Sequence, residues 1–176
     1  MSYGGASSIL ELVASSGRRR PASSLPSALD PLFTVLSACS SAAGADEAER
    51  KIWALWMHHP HCRAARHLDR AVTEIATHCH DIAETRLSLL VRAVPEYAEA
   101  WNKRATLYYM QERDDECLRT VYEVLLREPR HFGAMCSAAE VLLAQGEREA
   151  AAFAFETALR IHPHLGEARQ RLAELH

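Results

Sequence analysis

Apolar and polar positions recur at a fixed interval through the second half of the chain. From Ala98 to His131, apolar residues stand at Trp101, Ala105, Tyr108, Cys117 and Val121. Thirty-four residues further on, the same places hold Met135, Ala139, Leu142, Ala151 and Phe155, with Ala158 following. Pro95, Pro129 and Pro163 mark the same interval twice over. A fixed period of about 20–50 residues is the signature of stacked supersecondary units. Within each unit the spacing predicts two helices. The small residues at Ala105 and Cys117, and at Ala139 and Ala151, let the pair approach closely, and the large ones fill the space above and below. Gln111-Glu112-Arg113-Asp114 and Gln145-Gly146-Glu147 read as the turns between them, and each proline ends a second helix.

Carried back one period, the register gives a weaker unit over 64–97. It keeps Ala71, Ala83, Leu90 and Pro95 but places His67, Arg70 and Glu74 where apolar residues stand later. One more period gives 30–63, with Phe33 and Leu36 in the first helix and Trp53 and Trp56 in the second. Asp30-Pro31 reads as a helix start, and Asp46 with Glu49 as a second. This stretch is expected to be a divergent helix hairpin, with Trp56 at a place where a small residue is usual. Residues 166–176 predict a final helix whose Glu167, Arg169, Gln170, Arg171 and Glu174 supply the polar outer face of a terminal cap.

These units resemble the tetratricopeptide repeat, a helix–turn–helix unit of 34 residues, most closely over 98–165. The runs Trp101-Asn102-Lys103-Arg104-Ala105-Thr106 and Glu128-Pro129-Arg130-His131-Phe132-Gly133-Ala134, with Ile52-Trp53-Ala54-Leu55-Trp56 upstream, are similar to small proteins of that family in proteobacteria, with plant and algal relatives. The resemblance implies an all-α, right-handed solenoid of antiparallel hairpins, of about three to four repeats plus a C-terminal capping helix. It also implies a concave groove lined by the first helix of each repeat. Carried over position by position, the groove residues are Leu68, Val72 and Ile75, then Glu99, Asn102, Thr106, Tyr109 and Met110, then Cys136, Glu140 and Leu143, with Gly133 beside them. Trp101, Tyr108 and Phe155 are expected to be structural. Some members of the family clamp the carboxylates of chaperone tails with Lys and Asn; here Thr106 and Glu140 stand at those places, which disfavours that role.

Composition narrows the functional classes. The net charge of −3 argues against a general phosphate-binding surface, although an RNA-associated helical repeat protein is kept as the second reading. No apolar run approaches the roughly 20 residues that cross a bilayer. The five cysteines are odd in number and scattered, as in a reducing compartment. His58, His59, His61 and His67 surround Cys62, and His78 and His80 flank Cys79. A helix between the two groups holds them roughly 20–25 Å apart, too far to share one zinc ion, so neither a metal nor another cofactor is expected. No phosphate loop, nucleophile elbow or His-Glu-x-x-His run is present, and no enzymatic activity is expected.

Residues 1–29 are rich in Ser, Ala and Gly, with Arg18-Arg19-Arg20 and Glu11 as the lone acid. They read either as a disordered tail or as an organelle transit peptide, which would place the protein in a mitochondrion or chloroplast; otherwise it is cytoplasmic. The expected function is binding of another protein, as a scaffold, assembly factor or subunit of a larger complex. The occupant of the groove is either a partner segment, the favoured reading, or this chain's own Ile9–Val13.

Overall fold

A computed structural model describes residues 4–175; among them are ten α-helices and no strand. The repeat region is formed by α4 (Cys62–Ala76) and α5 (His80–Ala93), α6 (Ala98–Met110) and α7 (Asp114–Arg127), and α8 (Phe132–Ala144) and α9 (Arg148–Ile161). Each pair is an antiparallel hairpin, consecutive hairpins stack, and α10 (Gly166–Leu175) lies against α9. Ala105, Cys117, Ala139 and Ala151 are fully buried, with Val121, Phe155 and Ala158 packed among them. The 34-residue period is also written into the backbone. Each hairpin turn has one residue with positive φ: His78 at 58°, Glu112 at 57° and Gly146 at 82°. Each closes the first helix in the same way. The N–H groups of Cys79, Arg113 and Glu147 donate to the carbonyls of Glu74, Tyr108 and Leu142 at 2.8–2.9 Å, the six-to-one bond of a Schellman cap.

Only the third turn has the residue its geometry favours. A side chain at positive φ costs about 1–2 kcal/mol relative to glycine, offset in part by glycine's greater freedom when unfolded. Glu112→Gly is therefore expected to raise the unfolding free energy by about 0.5–1 kcal/mol, and Gly146→Ala to lower it by about 1 kcal/mol, in denaturant titrations.

In the first repeat, α4 buries Ala64, Leu68, Ala71 and Ile75 against α5 and α6. In the second, Tyr108 and Ala105 do the equivalent packing from α6. The contact face of α4 is thus turned by one residue relative to α6. The reason is chemical: His67 and Glu74, at the places of Trp101 and Tyr108, cannot enter an apolar seam. They pair instead with Arg86 of α5, whose Nε lies 2.8 and 3.0 Å from the Glu74 carboxylate oxygens and whose Nη1 lies 3.1 Å from His67 Nδ1.

The N-terminal third departs from expectation. Residues 6–15 are not a free tail: α1 (Ala6–Ser15) lies along α7 and α9, with Ile9 and Val13 fully buried and Leu12 nearly so. Its apolar stripe joins the cluster containing Leu118, Tyr122 and Leu125 of α7. The segment after it returns across the end of α7. Arg19 donates to the carbonyls of Leu125 and Leu126 at 2.8 and 3.0 Å, and the Ala22 N–H to that of Arg127 at 2.7 Å. These are the carbonyls a helix end leaves without partners. The Ser-rich composition lacks the apolar content to fold alone; it is enough to dock the Ile9, Leu12 and Val13 stripe of α1 onto the broad apolar face of α7. A leader removed ahead of Leu29 would take those buried side chains with it.

The hairpin of α2 (Leu29–Ala38) and α3 (Ala42–Met57) forms, but at a different place in the solenoid from a fourth repeat. Its principal contacts outside itself are with α9 and α6. The helix starts differ too. Asp30 lies inside α2 and accepts from Arg130 Nη1 at 2.7 Å. α3 is capped by Ser41, which accepts from the Gly44 N–H at 3.2 Å.

Candidate functional site

The docking of α3 is set by one aromatic cluster. Trp56 is 2% exposed and stacks on the His131 ring, centroids 4.0 Å apart and planes 7° from parallel. Phe33, Trp53 and Phe132 surround it within 5.9 Å. His131 sits at the start of α8, and its Nδ1 accepts from the Ala134 N–H at 3.1 Å. The ring's hydrogen is therefore on Nε2, which donates to Glu99 Oε2 at 3.0 Å. Glu99, fully buried at its side chain, also receives Lys103 Nζ at 2.9 Å and Asn102 Nδ2 at 3.2 Å. Burial alone would push the Glu99 carboxyl up. The hydrogen bond from His131 and the charge of Lys103 outweigh it and hold the carboxyl below its ordinary value.

A depressed carboxyl contributes stability above its unfolded value, about 4.3, and loses it as pH falls through the folded value. Glu99→Gln is expected to cost about 1–3 kcal/mol at neutral pH and to flatten the acid limb of the stability profile. An acid limb as steep as that of the unaltered protein would show that Glu99 is not ionised in the fold.

Beyond this cluster lies a cleft of about 550 Å³ walled by α3, α6, α8 and α10. Its floor is apolar: Trp53, Phe132, Phe155, Leu165 and Ala168, with Cys136 and the Tyr109 ring at the side. Gly133 allows α3 to come this close, since a Cβ there would lie 3.0 Å from the Trp53 ring. The Trp53 indole N–H donates to Glu49 Oε1 at 3.1 Å, and Lys103 Nζ lies 5.2 Å above its ring. On the far side Arg171 of α10 forms a two-pronged pair with Glu140, both bonds 2.9 Å.

Of the residues expected in the groove, the structure brings Tyr109, Cys136 and Glu140 together in this cleft, beside Gly133. Met110 is exposed next to Tyr109, and Leu143 and Thr106 are half-buried outside the lining. Glu99 and Asn102 are withdrawn into the buried cluster. Leu68 and Ile75 belong to the core of the first repeat through the turned face of α4, and Val72 is half-buried beside them. The own-chain segment Ile9–Val13 is not in the cleft; it is engaged on α7 and α9. Sequence reasoning missed Glu49, Trp53 and the α10 wall. The signal for the first two was the Trp53–Trp56 pair itself, two indoles on one helix face where a repeat would hold smaller residues.

Cys136 is not a reactive thiol: burial, with Glu140 and Glu167 nearby, pushes it up to about 12. Among the described residues no three His, Cys, Asp or Glu side chains converge on a metal position. No helix among them is long and apolar enough to cross a membrane.

Stacked hairpins of this length, turn geometry and small-residue seam define a helical solenoid of the tetratricopeptide type. No family model matches the chain. A TPR repeat-containing protein of Rhizobium etli is 39% identical to it over 69 residues, which are 39% of this chain and 34% of that protein. The match thus spans about a third of the relative's length, and it agrees with the proteobacterial side of the resemblance. Two solved structures of MamA, one a point mutant, superpose with TM-scores of 0.55 and 0.56 at 14% identity. They cover 83% of this chain and 82% and 81% of their own. At that identity the likeness is one of fold.

Proposed function

We propose that the chain is a protein-interaction module that takes a short segment of a partner protein into the cleft between α3, α6, α8 and α10, as a scaffold, assembly factor or subunit of a larger complex. The observation that carries this reading is an aromatic floor left open beside two exposed large side chains, Tyr109 at 41% and Met110 at 45%. Clefts of roughly 300–1,000 Å³ with an apolar floor and few polar groups are the usual shape of a recognition site. An apolar anchor entering such a groove from an extended or helical segment is a standard mode of peptide capture. The solenoid fold, shared with a relative described by its repeats, supports protein binding in general.

Two alternatives fare worse on the same geometry. RNA would meet carboxylates from Glu49, Glu140, Glu167 and Glu174 around the cleft. A chaperone tail would find Asn102 already bonded to Glu99. A photo-crosslinking side chain at Ser137, in the cleft, is expected to capture a discrete partner from the native source. The same group at Glu156, on the exposed face of α9, is expected to capture none, and Tyr109→Glu should abolish capture at Ser137. Equal capture from both sites would contradict the reading.

A further inference from the structure

We propose that the segment seated in the cleft is basic: an aliphatic or aromatic anchor flanked by lysines or arginines. This rests on the preceding reading of the cleft and adds the chemistry of its occupant. The observation is a mismatch of charge around an apolar floor. Four carboxylates line the cleft, from Glu49, Glu140, Glu167 and Glu174, against one guanidinium, Arg171.

That guanidinium is divided between two of them. Arg171 holds Glu140 through two bonds of 2.9 Å and reaches Glu174 at 3.3 Å. Glu49 receives the Trp53 indole N–H at 3.1 Å and His162 Nε2 at 3.1 Å. His162 Nδ1 in turn lies 3.3 Å from the His164 N–H, and among the described residues no Lys or Arg pairs with Glu49. Glu167 is exposed at the first turn of α10. A further cation, Lys103 above Trp53, is bound to the buried Glu99 at 2.9 Å. The surplus is felt inside the cleft. Glu140 and Glu167 add to burial in raising the Cys136 thiol; at Tyr109 Glu140 adds to burial and outweighs the opposing Arg171.

An apolar wall beside unbalanced carboxylates focuses their field onto whatever enters. A neutral anchor would gain the floor and leave the rim unanswered, an acidic one would be repelled, and a basic flank would gain both. An acidic partner would find better terms elsewhere, at Arg63, Arg66 and Arg70 along the outer face of α4.

The test uses the full chain and three capped, fluorescently labelled peptides with one Leu-Trp-Leu centre, flanked by Lys-Arg, Ser-Gly or Asp-Glu pairs. Anisotropy titrations are expected to rank Lys-Arg tightest, with affinity falling steeply as salt rises. Glu167→Lys with Glu174→Lys, both on the exposed side of α10, should weaken that peptide about tenfold and bring the Asp-Glu peptide up to meet it. Glu156→Lys, away from the cleft, should change nothing. Tighter binding of the Ser-Gly or Asp-Glu peptide that is still lost with Tyr109→Glu would overturn the basic partner and leave the cleft standing as the site. Binding of any peptide that ignores both Tyr109→Glu and the α10 reversals, or saturable binding by none of them, also overturns the proposal; the crosslinking at Ser137 then judges the cleft independently.

Discussion

Replacing Ile9 and Val13 together with Asp is expected to lower the unfolding free energy by about 3–5 kcal/mol, among the largest effects any exposed-looking segment of this sequence could produce. Both side chains are fully buried and Leu12 nearly so. Such side chains are worth about 1.5–3 kcal/mol each against water. The variant cannot bury two unpaired carboxylates against Leu118, Tyr122 and Leu125, so α1 should leave its site and expose that face of α7. Binding of a hydrophobic dye should therefore rise as melting temperature falls. Glu11→Ala, on the exposed side of the same helix, should stay within about 0.5 kcal/mol of the unaltered chain. Equal, small shifts for all three substitutions would return residues 6–15 to the status of a tail.

Trp56→Ala should be of comparable size, about 3–5 kcal/mol. The indole fills the space between α2, α3 and the start of α8, and it is the surface on which His131 lies flat. Removing it opens a cavity and frees the ring that donates to Glu99, so the acid limb of stability should change along with its height. Trp56→Phe separates volume from hydrogen bonding. The indole N–H is buried with no partner among the described residues, so phenylalanine should lose packing but no bond, and cost about 1–2 kcal/mol. A Phe variant as damaged as the Ala variant would show that the N–H is satisfied after all.

What could be read in advance followed from chemistry that repeats. The prolines at 95, 129 and 163, the small residues at 105, 117, 139 and 151 and the turn at Gly146 each state a local requirement that holds whatever surrounds them. The resemblance to tetratricopeptide units then yielded Tyr109, Cys136 and Glu140, which do meet in the cleft. Leu68 and Ile75 were misplaced because the register was carried across a repeat whose His67 and Glu74 force another face of α4 inward. The hairpin of α2 and α3 was legible, but the helix at 6–15 and the docking of both onto the repeats were not, for a different reason. Ile9, Leu12 and Val13 are too few to announce a helix in a Ser-rich stretch, and the face that buries them lies more than a hundred residues away. There Leu118, Val121, Tyr122, Val124 and Leu125 give α7 an apolar face broader than its hairpin seam alone, while Asp115 and Arg119 stay exposed. Trp53 and Trp56 carried the same message for α3, since no repeat position calls for two indoles. Long-range docking is written in the surplus apolarity of the receiving element, and a reading confined to local windows passes over it.

Residues 6–57 are built onto the repeats, with α1 covering α7 and α3 forming one wall of the cleft. Hydrogen exchange of the native chain tests this most directly, because protection reports the free energy of opening segment by segment. The amides of α1 and α3 should exchange only with the global opening that releases α7 and α8, at the same free energy and with the same response to denaturant. Exchange of residues 6–15 and 42–57 within seconds, while α6 to α9 stay protected, would contradict the account.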